Sequence, residues 1–372
     1  MTDKQRYPYI WACLIGKFSP MHKGHQHLIV EALKQTKYLI ILVGSHNRTL
    51  DYDVPWTSYE RIEMIKASLT DEQQNRIFFQ VIEDRIYSDV EWKTMAQEKI
   101  DSILLQYSRY RLNAIDAKKQ VNMAIFGYNK DVTSFYLTAF PNLKYVELPK
   151  YSFEDEQLPL NATDIRKSFY DGYHGRIKDW MPEGTYQWLK DNWFDTEREQ
   201  YMQEWYIFDL EYEKNYLHYP YAVNFYTTDI IVCHRSFILL VKRKGWPYKD
   251  VYAFPGGHIN ADETAYDAAI RELREETQIK LSDSKLNNSF KVQKLFDAPN
   301  RSKRCRVTTK KGRTVTIAHL FVLDDNWERP HVEAGDDAAD VVWVSFADFK
   351  NMRNQLMEDH CDVGVAMMKY LN

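Results

Sequence analysis

The chain has 372 residues, long for one hydrophobic core and comfortable for two domains. Its formal net charge is −4, with 49 basic and 53 acidic residues interspersed, a balance that argues against a nucleic-acid surface. No apolar run is long enough for a membrane span, and no signal peptide is expected at Met1–Tyr9; the four cysteines, Cys13, Cys233, Cys305 and Cys361, lack a metal-type spacing and read as free thiols in a reducing cytosol.

Tyr9–Ile15 is a short apolar run of the kind found in a buried parallel strand. It ends in Gly16-Lys17-Phe18-Ser19-Pro20-Met21-His22-Lys23-Gly24-His25, and a helical pattern follows through Thr36 with Leu28, Ile29, Ala32 and Leu33 inward. Tyr38–Gly44 is a second buried strand. Strand, loop, helix and strand make a βαβ unit whose loop lies at the carboxyl end of the strand, where open α/β sheets bind ligands. Gly24 allows a phosphate close to the backbone, and the N-terminus of the following helix attracts anions.

The run from Gly16 to His25 resembles the G-x-F-x-P-x-H-x-G-H signature of the nucleotidyltransferase superfamily, and more narrowly the archaeal-type nicotinamide-mononucleotide adenylyltransferases. The resemblance implies that His22 and His25 contact ATP phosphates and that Gly16, Lys17, Phe18 and Gly24 line the same site. Lys17 stands where that family usually carries Arg, which keeps the charge and loses the bidentate fork.

Thr57 and Glu60 form a capping box ahead of Arg61, Ile62, Met64 and Ile65. The segment Pro55–Ile65 matches the family's Pro-aromatic-Thr-x-x-Glu-Arg stretch, which implies that Arg61 meets nucleotide phosphates. Ile77–Val81 is a third strand, Glu91–Leu105 a helix, Asn122–Phe126 a fourth strand and Lys144–Leu148 a fifth. By resemblance, Asp84 and Trp92 recognise the nicotinamide moiety, and the loop Gly127–Asp131, with Asn129, lies beside bound nucleotide. Asn161 is a good N-cap for a helix that stops near Gly172. This stretch resembles the second superfamily signature, Ser-x-Thr-x-x-Arg, with Asn161 in place of Ser. Thr163 would then bind ATP phosphates, and Arg166 would stabilise the charge that grows during transfer.

Thr196–Asn215 reads as helix within a stretch rich in aromatic and charged residues. The organisation expected is a first domain over 1–193, a helical connector over 194–220 and a second domain over 221–372. Asn224–Cys233, Phe237–Lys242, Arg313–Leu323 and Val341–Val344 read as strands, with a further strand-like run from Phe290. Between them, Pro255-Gly256-Gly257 is expected to form a tight turn ahead of a helix backed by Ala265, Ala268, Ala269 and Leu273. On that helix Glu272, Glu275 and Glu276 share one side, and carboxylates that close call for a divalent cation, Mg²⁺ or Mn²⁺. A solvated helix with pairs such as Arg271–Glu275 is the plainer alternative, set aside because the pattern fixes so many positions at once.

Gly257 to Ile279 resembles the Nudix box, Gly-x5-Glu-x7-Arg-Glu-apolar-x-Glu-Glu-x-Gly-apolar, departing only at Gln278, where the family has Gly. Metal is then held by Glu272, Glu275 and Glu276 with support from Glu263, while Arg271 holds a carboxylate in place; a general base outside the box is not identified by the sequence. The Phe296–Ser302 run and Gly335–Ala338 resemble the Nudix half of fused adenylyltransferase–Nudix proteins, which makes Arg301 and Arg304 candidates for diphosphate binding and Asp336 or Asp337 for positioning metal or water.

The fold implied is α/β throughout: a Rossmann-like doubly wound parallel sheet followed by a Nudix α/β/α sandwich. The activities implied are transfer of AMP from ATP to nicotinamide mononucleotide, giving NAD and pyrophosphate with Mg²⁺ on the phosphates, and hydrolysis of ADP-ribose to AMP and ribose 5-phosphate. An adenylyltransferase for another phosphate acceptor, joined to a non-catalytic sensor of NAD metabolites, is the alternative. Partners are small molecules, with neither nucleic acid nor membrane; the sequence leaves a homo-oligomer open.

Overall fold

The computed structural model describes residues 7–111, 123–129, 136–149, 151, 161–298, 303, 311–335 and 337–371. The chain divides into two compact units, Met1–Glu204 and Trp205–Asn372.

In the first unit, β1 (Tyr9–Gly16), α1 (Lys23–Gln35) and β2 (Thr36–His46) form the expected βαβ unit. Next come α2 (Ser58–Ala67), the short α3 (Asp71–Gln74), β3 (Ile77–Glu83), α4 (Asp89–Arg111), β4 (Met123–Gly127) and β5 (Lys144–Glu147). All pairings are parallel and the sheet order is β3-β2-β1-β4-β5. Burial on both faces explains the unbroken apolar runs. Trp11, Cys13, Ile40 and Leu42 meet Ile100 and Ile103 of α4, while Ile29, Ala32 and Leu33 of α1 are also buried. The order reverses at β1, so a crevice opens beside its carboxyl end.

The capping box at α2 is present on both arms, Glu60 N to Thr57 Oγ1 at 3.2 Å and Thr57 N to Glu60 Oε2 at 2.7 Å. The unit continues with α5 (Ala162–Tyr170), capped by Asn161 as expected, α6 (His174–Trp180) and α7 (Glu183–Asn192). α7 lies hard against α2: the hydroxyls of Thr185 and Ser68 are 2.7 Å apart, and a Cβ at Gly184 would stand 1.7 Å from the carbonyl oxygen of Ala67. The helix α8 (Glu197–Lys214), expected from its sequence, spans the division between the units.

The second unit contains β6 (Val223–His234), β7 (Phe237–Arg243), β8 (Tyr252–Ala253), β9 (Gly256–His258), α9 (Ala265–Thr277), α10 (Asp283–Ser289), β10 (Phe290–Phe296), β11 (Lys311–Leu323), β12 (Ala338–Ser345), α11 (Phe346–Asn351) and α12 (His360–Met368). Its mixed sheet runs β10-β11-β6-β7-β12, with β6 and β11 parallel, and β8 and β9 pair with β7 and β6. Ile230 and Val232 meet Ala269 and Leu273 of α9, and the alternation of the strand turns Ile231 and Cys233 to the other face, also buried. The tight turn expected at Pro255-Gly256-Gly257 is not a turn. Gly256 and Gly257 belong to β9 and pair with Asp229 and Thr228, because two adjacent glycines let this backbone lie flat on β6. No helix among the described residues is long and apolar enough to cross a membrane.

The contact at Gly184 sets a test. Gly184→Ala should destabilise the first unit by about 3 kcal/mol, since the clash is with backbone rather than a movable side chain. Urea denaturation followed by tryptophan fluorescence measures it.

Candidate functional site

The first site lies at the carboxyl end of β1. His22 is the N-cap of α1, and its Nδ1 accepts from the backbone N–H of His25 at 3.3 Å. An amide N–H only donates, so the neutral imidazole carries its proton on Nε2, free of the helix. The rings of His22 and His25 stack at 3.7 Å with 27° between planes. Phe18, buried and at φ 52°, lies 4.8 Å from the His25 ring. No acidic residue occupies the first turn of α1, and Gly24 is its second residue. That end of the helix therefore keeps its attraction for anions.

Arg166 reaches the same loop from α5. It donates through Nη1 to the Ser19 carbonyl and through Nη2 to Thr163 Oγ1 at 3.3 Å, with Asp53 at 3.5 Å. Its Nε is buried and has no partner among the described residues. An orphaned donor on a buried cation is costly unless an anion completes it, so Arg166 fits the phosphate role. Lys17 and Asn129 are exposed, one in the loop after β1 and the other after β4.

Arg61 is placed otherwise. It is fully buried, and its guanidinium donates to the carbonyls of Lys17, Gly44, Ser45, Trp56 and Thr57. Burial lowers its pKa to about 10, which leaves it charged at neutral pH. Asp84 follows β3 and lies 3.7 Å from Arg48; burial pushes its carboxyl upward, but Lys17 and Arg48 overcome this and hold it below its usual range. Trp92, on α4, packs against the core with its ring 6.3 Å from Phe140.

Sequence reasoning missed several neighbours of this site. Arg48 pairs with Asp51, whose Oδ1 also accepts from the N–H groups of Asp53 and Val54 at 2.8 Å. His46 lies 2.7 Å from Ser58 Oγ, and burial lowers its pKa. The signal was available: β2 runs two residues past Gly44, which brings His46, Asn47 and Arg48 to the ligand end of the sheet.

The second site is built on α9. Arg271 spends all five N–H bonds locally: two on Glu263 at 2.7 and 3.0 Å, one each on Glu272 and Glu275 at 2.9 Å, and one on the His258 carbonyl at 3.1 Å. These bonds bring the Glu263 carboxyl down to about 2. Glu276 turns the other way, accepting from Gly256 N at 2.9 Å. Burial first, then the charge of Glu272, pushes it up to about 7. Burial also raises Glu272, against the pull of Arg271. Gly257 makes room for Glu272, since a Cβ there would lie 2.3 Å from its Oε1.

The three box carboxylates thus do not converge as expected. Glu272 and Glu276 are turned inward, Glu275 is largely exposed, and the Arg271–Glu275 pair of the plainer reading is present. Among the described residues no three acidic, His or Cys side chains already form a metal-ligating cluster. The donor set nonetheless fits a hard divalent cation. Its ligands are all carboxylate oxygens, and two buried carboxyls are disfavoured as anions until a cation joins them. Glu272 and Glu276 would hold it, with Glu275 and Glu263 released to it by Arg271.

Residues outside the box complete the site. Arg243, at the end of β7, feels the charges of Glu276, Asp337 and Asp229, and burial lowers its pKa. His360 Nδ1 accepts from Phe254 N at 3.0 Å, which puts its proton on Nε2, 3.9 Å from Asp229. Nothing in the spacing of the box marks these residues. Arg301, Arg304 and Asp336 lie outside the described residues.

Gln278 closes α9 in the left-handed conformation, φ 50°, that the family's Gly adopts without strain. Its side chain donates to the Ala334 carbonyl at 3.0 Å, tying down the segment that follows.

Residues 13–134 match the family model for cytidylyltransferase-like proteins, and residues 224–360 match that for the NUDIX domain. Over 184 residues, half of this chain, it is 31% identical to a nicotinamide/nicotinic acid mononucleotide adenylyltransferase of Acinetobacter baylyi, covering 87% of that protein. Over 164 residues, 44% of this chain, it is 31% identical to an ADP-ribose pyrophosphatase of Methanocaldococcus jannaschii, covering 82% of it. A crystal structure from Francisella tularensis, a bifunctional NMN adenylyltransferase/ADP ribose pyrophosphatase complexed with AMP and a manganese ion, superposes with TM-score 0.83 at 32% identity, over 97% of this chain and 99% of that one.

Two outcomes test the second site. Between the unfolded value of 4.5 and about 7, the folded protein holds the Glu276 proton and the unfolded chain releases it, so stability falls as pH rises through this window. In EDTA, Glu276→Gln should therefore gain up to about 3 kcal/mol over wild type at pH 8 and little at pH 4.5, measured by urea denaturation. At the helix end, Gln278→Gly should be more stable than Gln278→Ala by about 1 kcal/mol, because only Gly takes φ 50° without cost.

Proposed function

The chain belongs to the family of bifunctional NMN adenylyltransferases/ADP-ribose pyrophosphatases, and from that premise we propose how its two units divide the chemistry of NAD. The first transfers AMP from ATP to nicotinamide mononucleotide. A 5′-phosphate oxygen of the mononucleotide attacks the α-phosphorus in line, the bond to the β-phosphate oxygen breaks, and pyrophosphate leaves with the charge. The attacking phosphate is already ionised, so no general base is needed. The chain contributes position and positive charge.

His22 and His25 face the departing phosphates with Lys17, and Arg166 offers its unpartnered Nε to the charge that grows there. This orphaned donor, on a side chain bonded to the loop that leads to the stacked histidines, is the observation that carries the reading. Thr163, Gly16, Phe18, Gly24 and Asn129 line the ATP side, and we assign nicotinamide recognition to Asp84 and Trp92.

The second unit hydrolyses ADP-ribose to AMP and ribose 5-phosphate. A divalent cation bound there, magnesium or manganese, supplies Lewis-acid activation of water and neutralises the diphosphate. The chain's part is to hold Glu272 and Glu276 inward and to keep Glu263 and Glu275 bonded to Arg271 until they are needed. Cys13, Cys233 and Cys361 are buried thiols, which supports a reducing cytosol as the site of action.

Both activities are measurable on the full chain. Incubation with ATP and nicotinamide mononucleotide should yield NAD and pyrophosphate, and ADP-ribose should yield AMP and ribose 5-phosphate. His25→Ala should slow the first reaction about 100-fold and leave the second unchanged. Glu276→Gln should do the reverse by about the same factor. Absence of NAD under these conditions would sink the first assignment, and wild-type hydrolysis by Glu276→Gln the second.

A further inference from the structure

We propose that Arg61 is a positioning residue for adenylyl transfer, one that sets the geometry of the phosphate loop and never touches phosphate. The inference rests on the first unit being an adenylyltransferase. The signature that contains Arg61 implies a phosphate ligand; its surroundings point elsewhere.

The side chain is fully buried. Its Nε is shared between the Trp56 and Thr57 carbonyls at 3.1 and 3.2 Å; Nη1 donates to the Lys17 and Gly44 carbonyls, the latter at 2.9 Å; Nη2 donates to Ser45 at 3.1 Å. Five acceptors come from three segments: the loop after β1, the end of β2, and the turn that starts α2. Parallel strands end here with carbonyls pointing out of the sheet, and a buried carbonyl without a donor is costly. Turning the guanidinium toward a nucleotide would withdraw its donors from all five at once, leaving Thr57 only the bond from the Arg61 backbone N–H at 3.1 Å.

The loop that carries Lys17 and leads to His22 needs this hold. Phe18 sits at φ 52°, a conformation that non-glycine residues occupy only when their surroundings enforce it. The carbonyls on either side of Phe18 are each gripped by an arginine: Lys17 by Arg61, Ser19 by Arg166. The two differ in what remains. Arg166 keeps an unpartnered Nε, while the Nε of Arg61 is shared by two carbonyls. Arg166 therefore serves phosphate and loop together, and Arg61 serves the loop.

Side-chain NMR of the full chain labelled with ¹⁵N-arginine tests this without a variant in the sample. The Arg61 Nε–H signal, identified by its loss in Arg61→Lys, should be slowly exchanging without nucleotide and stay in place when ATP saturates, while that of Arg166 moves. An ATP-induced shift of the Arg61 signal as large as that of Arg166 would overturn the proposal. Kinetics supply the second readout, with rates taken per ATP-binding site counted by calorimetry. Arg61→Lys keeps the charge and loses the fork, so kcat for NAD formation should fall about 100-fold, as for a misplacement of about an ångström, with KM for ATP changed less than about threefold. A tenfold rise in KM with kcat retained would make Arg61 a phosphate ligand and overturn the assignment. ADP-ribose hydrolysis by the same variant should be unchanged. If wild type forms no NAD, the adenylyltransferase reading fails, and the NMR result still decides where the guanidinium binds.

Discussion

Each site is organised by an arginine that is bonded to several groups of its own chain before any substrate arrives. In the first unit Arg61 gathers five backbone carbonyls, and in the second Arg271 gathers three carboxylates and a carbonyl. A guanidinium is suited to this because its five N–H bonds lie in one rigid plane and its charge survives burial. The first clamp reaches back 44 residues to Lys17, while the second ties the strand and loop just ahead of α9 to the helix itself. Residues with spare bonding capacity remain in each unit: Arg166 in one, Glu272 and Glu276 in the other.

The local rules were legible where a single segment decides the outcome. The capping box at Thr57 and Glu60, the Asn161 cap and the buried strands follow from side-chain chemistry within a few residues, and the structure has them. What a spacing cannot reveal is where a long side chain spends its donors. Arg61 fits a phosphate-binding signature by type and position, yet the carbonyl ends of β1 and β2 claim it. Glu275 falls on the metal-facing side by helical period, yet Arg271 draws it off. The first departure is a long-range competition that leaves no trace in periodicity; the second is an i, i+4 pair, which helical spacing offered as the plainer reading.

The glycine pair before the box shows the same limit in backbone form. Gly-Gly after Pro reads as a turn, but β6 supplies a partner strand, and Gly256 then points its N–H at Glu276 while Gly257 leaves room for Glu272. Absence of a side chain here serves close approach rather than reversal of direction. Asp229, paired with Gly256, brings the His360 contact to the same strand junction, so the carboxylates of α9 are buttressed by a register that the box does not contain.

The end of α9 carries the argument furthest. A helix leaves its last carbonyls without donors. Here Glu333 N donates to the Thr277 carbonyl at 2.9 Å, Gly335 N to that of Glu276 at 3.0 Å, and the Gln278 side chain to Ala334 at 3.0 Å. Three successive residues of one strap thus close the helix that bears the box. Gln278 costs about 1 kcal/mol in the left-handed region relative to glycine, and a hydrogen bond of similar size, which glycine could not make, offsets it. The strap leads on to Asp337, whose charge acts on both Glu276 and Arg243. The substitution at the family's glycine therefore preserves the helix end and fastens it to the segment that carries a further carboxylate toward the site.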